Sequence, residues 1–96
     1  MNNPVVVITG ATGATGTAAA RAFASQGASL ALLSHDQSKL DALAASLSLP
    51  SARLLTHAAD LRNPEEARAA ERFVTTRFGR ADILLHLVGG DRKSVV

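Results

Sequence analysis

Four short apolar runs alternate with helix-type patterns along the chain. The β-branched residues of Val5–Thr9 predict a first strand, and residues 28–33 form a second apolar run of similar length. A weaker run covers residues 53–58, and a fourth covers residues 83–88. Short continuous apolar runs are typical of strands that are buried on both faces of a parallel sheet. The pattern therefore predicts four such strands.

The segments between these runs have helical character. Residues 16–26 are rich in alanine and end at a glycine, which predicts the first helix. Asp36 is a suitable N-cap for a second helix, in which Leu40, Leu43 and Leu47 recur at helical spacing until Pro50.

A third helix is predicted to begin at Asn63-Pro64-Glu65-Glu66, which combines a capping residue, a proline in the first turn and acidic residues, and to stop at Gly79. Its predicted apolar face contains Ala67, Ala70, Phe73 and Val74. Alternating strands and helices predict an α/β fold with a doubly wound parallel sheet, Rossmann-like and truncated after the fourth strand.

Composition narrows the class of protein further. The chain has 96 residues, a net charge of +2, no cysteine and an aromatic content of 3%, all of it phenylalanine. A nearly neutral chain without a basic patch or stacking aromatics is not expected to bind nucleic acid. No signal peptide and no apolar run of about 20 residues is visible, so we expect a soluble cytoplasmic protein with no membrane partner.

A glycine-rich loop joins the first strand to the first helix. Gly10 would permit the tight turn, Gly13 the approach of a pyrophosphate to the backbone, and Gly16 close packing of the helix. Thr12 and Thr15 could add hydroxyl or backbone donors, and the helix N-terminus offers N–H groups to phosphates. The alternative is an ordinary turn in an α/β protein.

The motif Thr9-Gly10-x-x-Gly13-x-x-Gly16 resembles the cofactor loop of the short-chain dehydrogenase/reductase family, in the spacing of its extended and atypical members. Asp60-Leu61, Phe78-Gly79 and the stretch ADILLHLVGG, residues 81–90, are similar to three further family motifs. The sequence departs from the family at residues 86–89, His-Leu-Val-Gly, where two asparagines and an alanine usually precede the glycine. The asparagine that braces the central strands in the family is absent here.

This resemblance implies an oxidoreductase that binds a nicotinamide dinucleotide and a small-molecule substrate, and that is a homo-oligomer when intact. It places Asp60 and Leu61 against the adenine, and Val88 and Gly89 beside the cofactor ribose. The family transfers hydride with the help of a tyrosine and a lysine four residues apart, but the chain has no tyrosine, so no catalytic residue is assigned. The alternatives are a non-catalytic NAD(P)-sensing relative and a sugar-nucleotide epimerase relative.

The end of the second strand bears on the choice between NAD and NADP. An acid there would bind the ribose 2′-hydroxyl of NAD, but the aligned position is Ser34. Ser34 could donate to a 2′-phosphate, and His35 occupies a position where related reductases carry arginine. Asp36 is better explained as the helix cap. NADP is therefore favoured over NAD, the alternative being that Ser34 and His35 form a solvated loop.

Residues 1–90 are interpreted as the N-terminal, dinucleotide-binding half of a Rossmann domain. The last six residues, DRKSVV, do not continue the pattern and resemble the translation of a sequencing-adapter read-through. We interpret residues 91–96 as a non-native tail, with a genuine charged tail as the alternative. His57 and His86 are interpreted as strand histidines, and no residues show metal-ligand spacing.

Overall fold

The computed structural model describes residues 4–87 and 94–95. These residues form a single sheet with three α-helices and one short 3₁₀ turn, Ser51–Arg53. In chain order the elements are β1 Val5–Thr9, α1 Ala14–Ser25, β2 Ser29–Ser34, α2 Gln37–Leu47, β3 Leu54–Ala58, α3 Pro64–Phe78, β4 Ile83–His86 and β5 Ser94–Val95.

The sheet has the strand order β3-β2-β1-β4-β5, and its first four strands are parallel. This arrangement confirms the predicted Rossmann-like α/β fold. It differs from the sequence prediction at the outer edge, because β5 pairs antiparallel with β4 through Leu85 and His86. The two residues of β5 carry no strand pattern, and their pairing uses only the unpaired backbone groups that an edge strand exposes.

Two apolar cores lie on opposite faces of this sheet. On one face, Val6, Ile8, Leu30 and Leu32 pack against α1 and α2, which contribute among others Leu40. The other face is covered by α3, where Ala70 and Val74 pack against Val7, Ala31 and Leu33. Because the side chains of each central strand alternate between the two cores, both faces must be apolar, as the continuous runs predicted.

Helix α3 covers its face of the sheet less completely than its sequence suggests. Ala70 and Val74 are buried, but Phe73, which was predicted to share their face, is 50% exposed. Its ring packs against His57 on β3, with the ring centroids 4.4 Å apart. Phe73 therefore lies at the margin of the helix–sheet contact, over the outer strand β3, rather than in the core.

Local side-chain contacts set the helix ends. Asp36 accepts a hydrogen bond from the backbone N–H of Lys39 at 3.1 Å, which confirms its role as the N-cap of α2. Asn63 caps α3 by accepting from the N–H groups of Glu65 and Glu66. Helix α3 ends at Gly79, whose φ of +80° is in the left-handed region that favours glycine.

A carboxylate holds the starts of the two central strands together. Asp82 Oδ2 accepts a hydrogen bond from the backbone N–H of Val5 at 2.8 Å, and its own N–H donates to the Val5 carbonyl. The Arg80 guanidinium lies 3.0 Å from the same carboxylate oxygen. The bond from Val5, followed by that from Arg80, lowers the pKa of Asp82 below its ordinary value.

Candidate functional site

An open cleft of about 600 Å³ lies at the carboxyl ends of the parallel strands. In doubly wound sheets this is the edge at which ligands bind. Four segments line this cleft. The glycine loop, the segment after β2 and the segment after β3 form its walls, and Leu87, which follows β4, forms its floor. Its lining comprises Gly10, residues 12–16, Ser34, His35, Lys39, residues 59–62 and Leu87.

Two of the three loop glycines are required by the protein itself. Gly10 has a φ of +66°, which favours glycine at the turn that leaves β1. A Cβ on Gly16 would lie 2.5 Å from the carbonyl oxygen of Gly10 and 2.8 Å from Ala11 Cα. Such contacts leave no room for a side chain, so Gly16 lets the first turn of α1 pack directly on the loop.

Gly13 differs from these two glycines. Its backbone is in an ordinary extended conformation, with φ −74° and ψ 170°. A Cβ there would meet only the Gly10 carbonyl oxygen, at 3.6 Å, an ordinary van der Waals distance. No contact or strain among the described residues requires glycine at this position. Gly13 is also the N-cap of α1 and provides no side-chain hydrogen bond to the helix N-terminus.

A hydroxyl pair joins the glycine loop to the end of β2. Thr12 Oγ1 lies 2.8 Å from Ser34 Oγ, and Ser34 Oγ also accepts the N–H of Asp36 at 3.2 Å. Ser34 is only 5% exposed. Ser34 lines the cleft, but its hydroxyl is already engaged by Thr12 and by the Asp36 N–H.

The wall after β2 contains a cation that sequence reasoning did not single out. His35 is exposed at the cleft, as expected, and Lys39 from the first turn of α2 lines the same wall. Asp36, between them in sequence, uses its carboxylate to cap α2. A lysine in the first turn of a helix, where the helix dipole disfavours a positive charge, is the sequence signal that could have identified it.

The wall after β3 contains an ion pair. Asp60 Oδ1 accepts hydrogen bonds from both the backbone N–H and the side-chain Nε of Arg62, at 3.0 and 3.1 Å. The side-chain bond from Arg62 is the main reason that the pKa of Asp60 is below its ordinary value. Leu61 lines the cleft beside them and packs against the α3 core. Arg62 is not among the candidate site residues that the sequence indicates.

Thr9 connects β1 to β4 at the carboxyl ends of these two strands. Its hydroxyl oxygen accepts the N–H of Leu87 at 3.0 Å and lies 2.9 Å from Nδ1 of His86. The backbone carbonyl of Thr9 also accepts the Leu87 N–H, at 3.2 Å. These bonds brace the two central strands without the asparagine that the sequence lacks. Val88 and Gly89, the other predicted cofactor residues, lie outside the described residues.

A second, smaller cavity of about 270 Å³ lies on the face of the sheet that α3 covers. Apolar side chains form most of its wall, among them Val7 of β1, Leu84 of β4 and Val74 of α3. The side chains of β4 are only partly buried, whereas those of β1 and β2 are buried throughout. The side chains of β3 are partly buried as well, so both outer parallel strands are less covered than the central strands β1 and β2.

Residues 4–87 and 94–95 lack two further kinds of feature. No group of three His, Cys, Asp or Glu side chains is arranged to hold a metal ion within this part of the chain. No helix in the same residues combines the length and the apolarity needed to cross a membrane.

Comparison with known proteins places these features in a family. The family model for short chain dehydrogenase matches residues 4–96. An uncharacterized oxidoreductase from Mycobacterium tuberculosis is 38% identical over 90 residues, which cover 94% of this chain and 34% of that protein. A short-chain dehydrogenase/reductase of Brucella melitensis, named as a glucose/ribitol dehydrogenase, is 39% identical with a TM-score of 0.82, covering 88% of this chain and 35% of that one.

One further solved structure contains a cofactor analogue. An alcohol dehydrogenase of the archaeon Thermococcus sibiricus, in complex with 5-hydroxy-NADP, is 32% identical with a TM-score of 0.79, covering 86% of this chain and 36% of that one. The chain thus spans about a third of the length of the relatives that it matches. Since the family model covers nearly every residue, and the strand order and the glycine loop agree with it, the chain belongs to the short-chain dehydrogenase family of oxidoreductases.

Proposed function

We propose that this chain is the cofactor-binding part of an enzyme that transfers hydride between a nicotinamide dinucleotide and a carbonyl or alcohol substrate. The observation that carries the proposal is the free space at Gly13, where the protein would accept a side chain and has none. A bound diphosphate explains that absence, because a Cβ at this position would project into the space beside the helix N-terminus.

The residues around the cleft fit such a ligand. The first turn of α1 has no side-chain cap, so its N–H groups and the positive end of the helix dipole are suited to the pyrophosphate, with Thr15 beside them. Asp60 and Leu61 would hold the adenine end. Val88 and Gly89 remain predicted neighbours of the ribose. When bound, the nicotinamide supplies the hydride acceptor or donor for the reaction.

NADP is the favoured cofactor. The carboxylate of Asp36 is committed to the cap of α2, and Ser34 stands where an acid would bind the 2′-hydroxyl of NAD. The wall that follows β2 instead contains His35 and Lys39, which are basic side chains. A 2′-phosphate is favoured in such surroundings by charge, whereas a ribose hydroxyl gains little from them.

Substrate chemistry belongs to residues outside this chain. The resemblance implies a tyrosine and a lysine four residues apart as the proton-transfer groups, and this chain contains no tyrosine. We infer that the 96-residue chain is itself inactive and that its contribution to the intact enzyme is to bind and orient the cofactor. An intact reading frame that contains this pair supports the enzyme, whereas one without it favours the non-catalytic sensor.

The binding proposal is tested by isothermal titration of NADP⁺ and NAD⁺. The titration uses the 96-residue chain and a chimera in which residues 4–87 replace the matching segment of the Thermococcus sibiricus alcohol dehydrogenase. The chimera supplies the remaining two thirds of the fold, so that weak folding of the chain alone cannot hide binding. We expect saturable binding of a nicotinamide dinucleotide, and a folded chimera that binds neither cofactor would refute the proposal.

Gly13→Val tests the position of the pyrophosphate within the cleft. The branched side chain should reduce affinity for both dinucleotides by about 100-fold or more, because it fills the space that the phosphates need. Ala22→Val is the matched control, since Ala22 is exposed on the same helix and does not line the cleft. Equal affinities in the two variants would place the phosphates elsewhere.

A further inference from the structure

The charged side chains of the cleft are unequally paired. On the wall after β3, Arg62 and Asp60 form an ion pair with a 3.1 Å contact, so that their charges largely cancel. On the wall after β2, Lys39 has no hydrogen bond or ion pair through its ammonium group within residues 4–87 and 94–95. Among the described residues, the wall after β2 therefore presents a lysine ammonium group that no side chain holds, whereas the arginine on the wall after β3 is held by Asp60.

Helix stability does not explain a lysine at this position. Lys39 is the third residue of α2, and the first turn of that helix contains no acidic side chain. The positive end of a helix dipole disfavours a cation there, typically by about 0.3–1 kcal/mol at exposed sites. Asp36 contacts the backbone N–H of Lys39 and fixes the first helical turn, which leaves the lysine side chain exposed beside the cleft.

The other candidates on this wall are weaker partners for a phosphate. The Ser34 hydroxyl lies 2.8 Å from Thr12 Oγ1 and accepts the Asp36 N–H, and its residue is nearly inaccessible. His35 is exposed, but an imidazole ring offers at most two N–H donors, which point in fixed directions in the ring plane. Lysine is a compact, fully charged phosphate binder with three rotatable donors.

We propose that Lys39 is the residue that selects the 2′-phosphorylated cofactor, through contact of its ammonium group with the 2′-phosphate. The inference rests on the proposed function, since it assigns one residue to a subsite of that cofactor. Ser34 then acts as a positioning residue that ties the glycine loop to the wall after β2, and Arg62 is held by Asp60. Selectivity arises because NAD offers Lys39 only an uncharged hydroxyl.

The test compares Kd values for NADP⁺ and NAD⁺ in Lys39→Met, measured by titration in the 96-residue chain and in the chimera. We expect the affinity for NADP⁺ to fall about 10-fold to 100-fold, the range for loss of one charged hydrogen bond, and that for NAD⁺ to stay within about twofold. Lys39→Arg should retain most of the NADP⁺ affinity. The affinity of the original protein for NADP⁺ should also fall more steeply with salt than that of Lys39→Met.

The control variant is Arg21→Met, which removes a cation from the exposed side of α1 and does not line the cleft. It should leave both affinities unchanged. Equal losses of affinity for NADP⁺ and NAD⁺ in Lys39→Met would show that Lys39 contacts the pyrophosphate instead. Unchanged affinities for both cofactors would show that Lys39 contacts neither. Each of these results overturns the inference while the proposed function stands. A folded chimera that binds neither cofactor overturns both.

Discussion

The side chain that Gly16 lacks would lie 2.5 Å from the carbonyl oxygen of Gly10, whereas the one that Gly13 lacks would touch nothing closer than 3.6 Å. Two glycines of one loop thus serve different purposes. Gly16 is needed for the first turn of α1 to pack on the loop, and Gly13 leaves space on the side of the cleft.

Gly16→Ala should therefore destabilise the fold more than Gly13→Val does. Forcing a methyl group against backbone atoms costs about 1–3 kcal/mol, whereas the change at the N-cap position of Gly13 costs about 1 kcal/mol or less. Thermal unfolding of the two variants in the chimera measures the difference. A Gly16→Ala variant as stable as the original would mean that the loop relaxes, contrary to the tight packing described.

Ser34→Asp should shift the preference between cofactors toward NAD. A carboxylate at the end of β2 could still accept from Thr12 and from the Asp36 N–H, and it would repel a 2′-phosphate while favouring a 2′-hydroxyl. We expect the ratio of the NADP⁺ and NAD⁺ affinities to change about 10-fold or more in titrations. Ser34→Asn keeps the size without the charge, and a similar shift in that variant would contradict the electrostatic explanation.

The stability of the sheet should depend on pH through Asp82. Because its pKa is lower in the folded chain than the ordinary value of 3.8, the carboxylate stabilises the fold above that value and loses its effect as pH falls through the folded pKa. Urea unfolding of the chimera between about pH 5 and pH 2 measures this effect. The free energy of unfolding should depend less on pH in the Asp82→Asn variant than in the original chimera. Asp41→Asn, which removes an exposed carboxylate from α2, is the control and should not flatten the profile in the same way.

The 96-residue chain on its own should self-associate. β4 is apolar and only partly buried, β5 pairs with just two of its residues, and the cavity beside α3 exposes apolar side chains. Uncovered strand edges and apolar faces promote association. Size-exclusion chromatography should show species larger than a monomer for the chain and a defined peak for the chimera. A monomeric chain with a cooperative thermal transition would contradict this prediction.

The tail interpretation is tested at the level of the gene. If residues 91–96 are a non-native tail, the nucleotides that follow codon 90 in the source DNA will match adapter sequence and end in a stop codon. Natural sequence at this point would refute the interpretation and make the short strand β5 a native element of the sheet.

Local signals predicted most of this fold. The apolar runs placed all four parallel strands to within two residues, and Asp36, Asn63 and Gly79 set helix ends as expected because caps depend on neighbouring residues. Contacts between distant segments were not predictable in this way. The exposure of Phe73 depends on how α3 sits over β3, and β5 forms because a strand edge is free, which no pattern in its own residues indicates.

The candidate site, too, was predictable where local sequence decides the structure and not where distant segments meet. The glycine spacing predicted the loop that lines the cleft, since Gly10 and Gly16 act through their own backbone. The Ser34 hydroxyl was predicted to be available to a ligand but is engaged by Thr12, 22 residues away in sequence. Lys39 was not predicted to line the cleft, because it lies five residues beyond the end of β2. Helix α2 brings it back to the cleft.

The position of β1 in the middle of the sheet determines the order in which the chain can assemble during synthesis. Its partner on one side, β2, begins 24 residues later, since Val5 pairs with Ser29, whereas Val6 pairs with Ile83 on the other side. Closing the longer loop costs more chain entropy and must wait until α3 has been made. The β1–α1–β2 unit, which contains the glycine loop, can therefore form first on the ribosome, while one edge of β1 remains open until β4 arrives. A nascent chain halted before residue 83 would present that edge to chaperones or to other nascent chains.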